Sequence, residues 1–132
     1  DELITFQYED QGVATLEDGI YALEENLEDP VFVDKMVRFV RASMRGWRYA
    51  EENVDEAAAI IIENDETGAQ SEAAQARMMG EIAKLTAGGT GALDIAAYER
   101  TVATLLAGGS DPVISMAPSG AYTTVITDEA LK

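Results

Sequence analysis

A helix-rich α/β fold is what this sequence predicts, and three observations predict it. Apolar residues recur at helical spacing through four long stretches, two short segments near the amino end carry strand-like character, and apolar residues make up 47% of the 132 positions, enough for a packed core. One domain covering residues 1–132 is expected, with two short strands, about four helices and an irregular carboxy-terminal tail.

In Leu3–Tyr8, Ile4, Phe6 and Tyr8 alternate with Thr5 and Gln7, a β-branched and aromatic pattern that reads as a strand. Gly12 marks a turn. Gly19–Leu23 reads as a second short strand, with Leu23–Leu27 equally open to a helix. The first long helix is expected over 30–52: Asp29 can cap it, and Pro30 suits a first turn whose N–H has no partner in any case. Phe32, Met36, Phe39, Val40, Met44 and Trp47 form its apolar flank, which predicts burial, Trp47 included, and leaves Tyr49 half exposed. Asn53 and Glu56 have the spacing of a capping box opening a second helix over 54–64, with Ala57, Ile60 and Ile61 inward.

A third helix is expected over 70–86, burying Ala74, Met78, Ile82 and Leu85, before the glycines at 88, 89 and 91 break it. A fourth, over 95–107, starts at the cap Asp94, buries Ile95, Tyr98, Val102 and Leu105, and stops at Gly108-Gly109. Pro112, Pro118 and Gly120 punctuate the tail, where Tyr122–Ile126 reads as extended and Asp128–Lys132 as a terminal helical turn.

The charge balance is lopsided, with 25 acidic and 9 basic residues giving a formal net charge of −16. Affinity for nucleic acid or anionic lipid comes from clustered cations, so both partners are disfavoured. The exception is the first helix. Lys35, Arg38, Arg41, Arg45 and Arg48 share one flank there, and the surrounding carboxylates are the expected partners. Cysteine and histidine are both absent, which removes disulfides, thiolate nucleophiles, Cys/His zinc sites and histidine bases. No apolar run reaches the roughly 20 residues of a membrane span, and the acidic opening Asp1-Glu2 is unlike a signal peptide.

Candidate chemistry thins out under inspection. Gly88-Gly89-Thr90-Gly91 is not followed by Gly-Lys-Ser/Thr and has no strand before it, so a linker is expected, not a phosphate loop. The pairs Glu9/Asp10, Glu17/Asp18 and Glu24/Glu25 lack the D-x-D-x-D-G pattern of a calcium loop. Ser71 and Ser119 have no base to activate them. No catalytic residue, cofactor or metal is therefore expected. The junction at Tyr8–Gly12 stands apart, because α/β folds place ligands where a strand ends in a tight turn.

One block resembles a known family. Phe39, Ala42, Gly46, Trp47, Tyr49, Ala50, Asn53, Glu56 and Ala57 form the pattern F-x-x-A-x-x-x-G-W-x-Y-A-x-x-N-x-x-E-A. This is similar to the periplasmic solute-binding proteins of ABC importers for thiamine-pyrimidine precursors, taurine, alkanesulfonates and nitrate. Tyr8–Val13 and Leu16–Tyr21 resemble that family's entry into its last lobe segment, and the likeness runs over about residues 4–107, the carboxy-terminal part of a family member.

The resemblance implies part of a type II periplasmic-binding-protein lobe and a chain lying downstream of any signal peptide. It implies periplasmic or other extracytoplasmic residence, a small-molecule ligand, and the importer's membrane subunits as partners. Tyr8, Glu9, Asp10 and Gln11, followed by Asp18 and Tyr21, are the implied ligand contacts at a hinge facing the cleft. A carboxylate there suits an amine or aminopyrimidine, while the arginine expected for taurine or nitrate is missing from the stretch. Enzymes related to this family use a histidine that the chain lacks. As a strand-poor remnant of such a lobe the chain would expose apolar helix faces, which a second copy is expected to cover; the alternative is a non-catalytic helical sensor or interaction module.

Overall fold

The computed structural model describes residues 3–132, and all regular structure among them is helical. A short 3₁₀ turn at Glu24–Glu28 precedes α1 (Pro30–Glu52), α2 (Val54–Glu63), α3 (Glu72–Thr86), α4 (Ile95–Leu106) and α5 (Val125–Ala130). The α/β expectation, and with it a periplasmic-binding-protein lobe carrying two strands, is thereby corrected: no described residue lies in a strand. The physical reason is the missing ladder, since a strand persists only when a neighbouring backbone takes its N–H and C=O groups. Leu3, Ile4, Phe6 and Tyr8 are all exposed. Among the described residues, backbone bonding from Leu3 to Leu23 is limited to the turn between Gln7 and Val13 and a bond from the Leu16 N–H to the Thr101 hydroxyl. Tyr122–Thr124 is likewise outside any strand, and α5 takes the place expected for extended chain from Val125.

Helix boundaries follow local chemistry closely. The Asp29 carboxylate accepts from the Val31 N–H at 2.9 Å, with Pro30 in the first turn. The Asp94 carboxylate accepts from the Ala97 N–H at 3.1 Å and starts α4. Ser71 caps α3 through the Ala74 N–H, a structural duty for that hydroxyl. The capping box at Asn53 does not form. Asn53 instead turns its side-chain amide back to the Tyr49 carbonyl at 2.9 Å, closing α1, and the Glu56 carboxylate lies beside the Tyr49 hydroxyl.

The chain falls into two compact units. In the one formed by residues 3–25 and 93–124, α4 is held between irregular segments. Leu16 bonds to Thr101, Tyr98 meets Tyr122 edge-on with ring centroids 4.8 Å apart, and the Ile114 N–H reaches the Leu105 carbonyl. Tyr98, Val102 and Leu105 are half-buried as their spacing predicts, whereas Ile95 is exposed.

The other unit, Asn26–Ala92 with Val125–Lys132, holds the remaining helices around α1. Two small clusters form its core. Val37 and Val40 of α1 meet Ala130 of α5, flanked by Val33, Met44, Ile126 and Leu131. Ala57 and Ala58 of α2 meet Met79 of α3, flanked by Ala50 and Val54. Gln75, also buried, donates to the Gln70 side chain.

The buried faces differ from those expected. Trp47 is 45% exposed and Phe39 54%, because α1 turns the adjacent valine stripe inward. Ile60 and Ile61 are exposed on α2 while Ala58 is buried. On α3 the inward stripe is shifted by one residue, so Gln75 and Met79 are buried, Met78 is exposed and Leu85 is 81% exposed. Ala57 and Ala58 face Met79 at the α2–α3 contact, and side chains that small permit close helix approach. The exposed area is large as a result. The chain presents 10512 Å² to solvent, against about 8,200 Å² for two separate compact bodies of the same total mass.

One side chain completes the carboxy-terminal end of α5. A six-residue helix is unstable in isolation, and its last carbonyls lack helical partners. The Arg41 guanidinium supplies them, donating to the Glu129 carbonyl at 2.9 Å and the Ala130 carbonyl at 3.2 Å. Arg41→Met should therefore cost roughly 1–2 kcal/mol in urea unfolding and should speed hydrogen exchange across Val125–Ala130. Unchanged exchange there would refute this role.

The α2–α3 loop closes on Asp65. Its carboxylate accepts from the Thr67 hydroxyl, the Thr67 N–H and the Gln70 N–H, and these bonds, led by the Thr67 hydroxyl, hold it below the ordinary value of 3.8. A folded-state pKa below the unfolded one contributes stability that is present above pH 3.8 and disappears as pH falls through the folded value. Glu129 behaves alike, lowered chiefly by its hydrogen bond to Lys132. Acid titration of Asp65→Asn, followed by circular dichroism, should show lower stability at neutral pH and a shallower acid limb than the parent chain; an identical acid limb would count against the loop's role.

Candidate functional site

The turn expected at Tyr8–Gly12 is present. The Tyr8 carbonyl accepts from the Gln11 N–H at 3.2 Å and the Val13 N–H at 3.1 Å, and the Glu9 carbonyl from the Gly12 N–H at 3.0 Å. Gly12 closes it with φ 70°, a left-handed conformation that strains residues bearing a Cβ. Tight wrapping of the backbone leaves the side chains of Tyr8, Glu9, Asp10 and Gln11 outside, all exposed. Neither carboxylate is in an ion pair among the described residues. The turn thus presents adjacent unneutralised acceptors beside an aromatic ring, an arrangement suited to hydrogen-bond donors and cations.

It differs from the expectation in two respects. The segment before it is irregular, not a strand. Asp18 and Tyr21 lie on the exposed chain beyond it, and no hydrogen bond, ion pair or ring contact among the described residues joins either to the turn. Tyr21 folds locally instead, its ring lying 3.5 Å from where a Cβ on Gly19 would stand.

Two open grooves lie elsewhere, both in the unit built around α1. One, of about 480 Å³, runs beside α1 and α5 over Leu27, Pro30, Val33 and Val37, with Arg38 and Arg41 on its wall. The other, of about 410 Å³, follows α2 and α3 over Ala58, Ile62 and Ala76, with Asp55, Glu63 and Glu72 at its edge. Neither contains a residue expected to touch ligand. The helical repeat of 55, 58, 59, 62 and 63 was the available sequence signal for the second groove.

The basic flank of α1 divides its work. Arg38 pairs with Asp34 at 3.0 Å, as expected of a solvated flank, while Arg41 serves carbonyls of α5. Lys35, Arg45 and Arg48 are in no ion pair among the described residues. The Tyr49 phenol is raised above its ordinary value, first by its hydrogen bond to Glu56 and then by desolvation. Such a phenol stays protonated at neutral pH and can donate its proton to the Glu56 carboxylate.

The glycine-rich stretch joins α3 to α4. Gly91, at φ 81°, packs so close to the Met44 thioether that a Cβ would collide with it, which assigns that glycine to packing. Among the described residues no group of three or more acidic side chains is gathered to hold a metal ion. No described helix is long and apolar enough to cross a membrane. No protein-family model, curated protein or solved structure matches this chain.

Proposed function

We propose that the chain is the helical part of a solute-capture receptor serving an ABC importer, and that its Tyr8–Gln11 turn contacts a small organic solute bearing an amine or aminopyrimidine. The observation that carries this reading is the block from Phe39 to Ala57, which spans the end of α1 and the start of α2 and resembles the solute-binding family. The turn adds chemical support, since Glu9 and Asp10 are exposed acceptors without an ionic partner among the described residues.

On this reading capture is non-catalytic. The solute binds better to one arrangement of the receptor than to another, and that difference in affinity drives closure. Amine N–H groups would meet the carboxylates of Glu9 and Asp10, the Gln11 amide would fix orientation, and the Tyr8 ring would cover an apolar or cationic face. The importer's membrane subunits are the proposed protein partners, and the compartment is extracytoplasmic.

A second reading, a helical interaction module without a transported solute, is favoured by one specific feature. Both grooves of the α1 unit are open, and every described regular element is a helix. The two readings part on solute binding. Calorimetric titration with an aminopyrimidine, an aliphatic diamine, taurine and nitrate should give saturable heat with the first two only. Glu9→Gln combined with Asp10→Asn should weaken that binding about tenfold or more without altering the circular dichroism spectrum. Absence of binding by this chain and by any longer polypeptide carrying it would defeat the importer reading.

A further inference from the structure

We propose that the outward face of α1 is a docking surface for an acidic amphipathic helix of a partner protein. The inference is independent of the import reading. Val31, Phe39 and Tyr49 are exposed along one side of this helix, and Lys35 and Arg45 are exposed between them. At roughly 100° per residue all five fall within an arc of about 120°, opposite the valine stripe that packs against α5. Single exposed apolar residues are ordinary on a protein surface; here three share one side of a long helix with Lys35 and Arg45, which are in no ion pair among the described residues.

Ala42 and Gly46 occupy the middle of the same face, and both are exposed. Gly46 has no internal explanation. It sits deep inside a 23-residue helix, where glycine is the poorest residue after proline. Its φ is not left-handed, and among the described residues no atom comes within 4 Å of a Cβ built on it. A helix laid across Ala42 and Gly46 would do so, because small residues at a crossing point permit the shortest interaxial distances. Phe39 and Tyr49 would then close over it from either end of the crossing, and aromatic and arginine side chains are the usual anchors of such contacts.

Charge selects the partner's chemistry. Lys35 and Arg45 are in no ion pair among the described residues, in a chain of net charge −16 that offers carboxylates in abundance. At physiological ionic strength distant charges are screened beyond about 8 Å, so the local cations govern what approaches this face. Glutamates or aspartates flanking an apolar ridge are their complement.

The test uses the full chain and a fluorescently labelled helical peptide with a leucine–alanine ridge flanked by glutamates, alongside its lysine-flanked counterpart. Anisotropy should show saturable binding of the glutamate peptide alone, weakening as salt rises. Gly46→Leu should raise the melting temperature, since leucine is the better helix former, yet reduce affinity tenfold or more. Lys35→Glu with Arg45→Glu should reduce it as much while leaving the fold intact. The proposal is overturned if the glutamate peptide does not bind, if the lysine peptide binds equally well, or if Gly46→Leu binds as tightly as the parent. It is overturned too if sedimentation shows this face closed by a second copy, or if anionic vesicles hold the chain while the peptide does not.

Discussion

The valine stripe of α1 is the contact on which the larger unit depends. Val37 and Val40, with Val33 and Met44 beside them, give α5 its apolar seat. A helix as short as α5, and even the ten-residue α2, falls below the length at which isolated helices persist in water. Their existence is a consequence of tertiary packing. Arg41 binds the two levels together, because one guanidinium on the long helix satisfies carbonyls at the end of the short one. Loss of the stripe would remove the seat, and loss of the guanidinium would leave α5 with unpaired acceptors.

What was legible in the sequence divides along the range of the interactions involved. Helix starts at Asp29 and Asp94 were readable because a cap acts over two or three residues, and the glycines after α3 and α4 were readable for the same reason. The Tyr8–Gly12 turn belongs to this class. The strand assignments do not, since Leu3–Tyr8 has ideal alternation but alternation supplies no ladder partner. Burial was half legible. Each helix has more apolar residues than one face requires, so periodicity named an apolar face without naming the one that meets a neighbour. On α2 the alanines won over Ile60 and Ile61, as close approach between helices favours small side chains at the contact, and on α3 two identical side chains part company, Met79 buried and Met78 exposed.

The candidate site repeats that division. Tyr8, Glu9, Asp10 and Gln11 share one turn, as neighbours in sequence must when a backbone reversal joins them. Asp18 and Tyr21 were grouped with them by resemblance, and no contact among the described residues connects them. The basic flank of α1 shows how much a one-dimensional reading compresses. Five cations at equal helical spacing looked equivalent, but Arg38 pairs within its own helix, Arg41 reaches residues 88 and 89 positions away, and Lys35, Arg45 and Arg48 make no ion pair among the described residues. Spacing cannot separate those fates, because the deciding partner is remote in the chain.

Size of side chain also explains why so much apolar surface faces solvent. Full burial of a leucine or isoleucine contributes about 1.5–3 kcal/mol, and alanine, with a single methyl group, contributes less. The buried apolar set among the described residues is Val37, Val40, Ala57, Ala58, Met79 and Ala130, so half of it is alanine. Phe39, Trp47, Ile60, Ile61, Met78 and Leu85 hold larger apolar groups and are all exposed. The fold therefore satisfies close packing between its helices while leaving its greatest hydrophobic stabilisation unrealised.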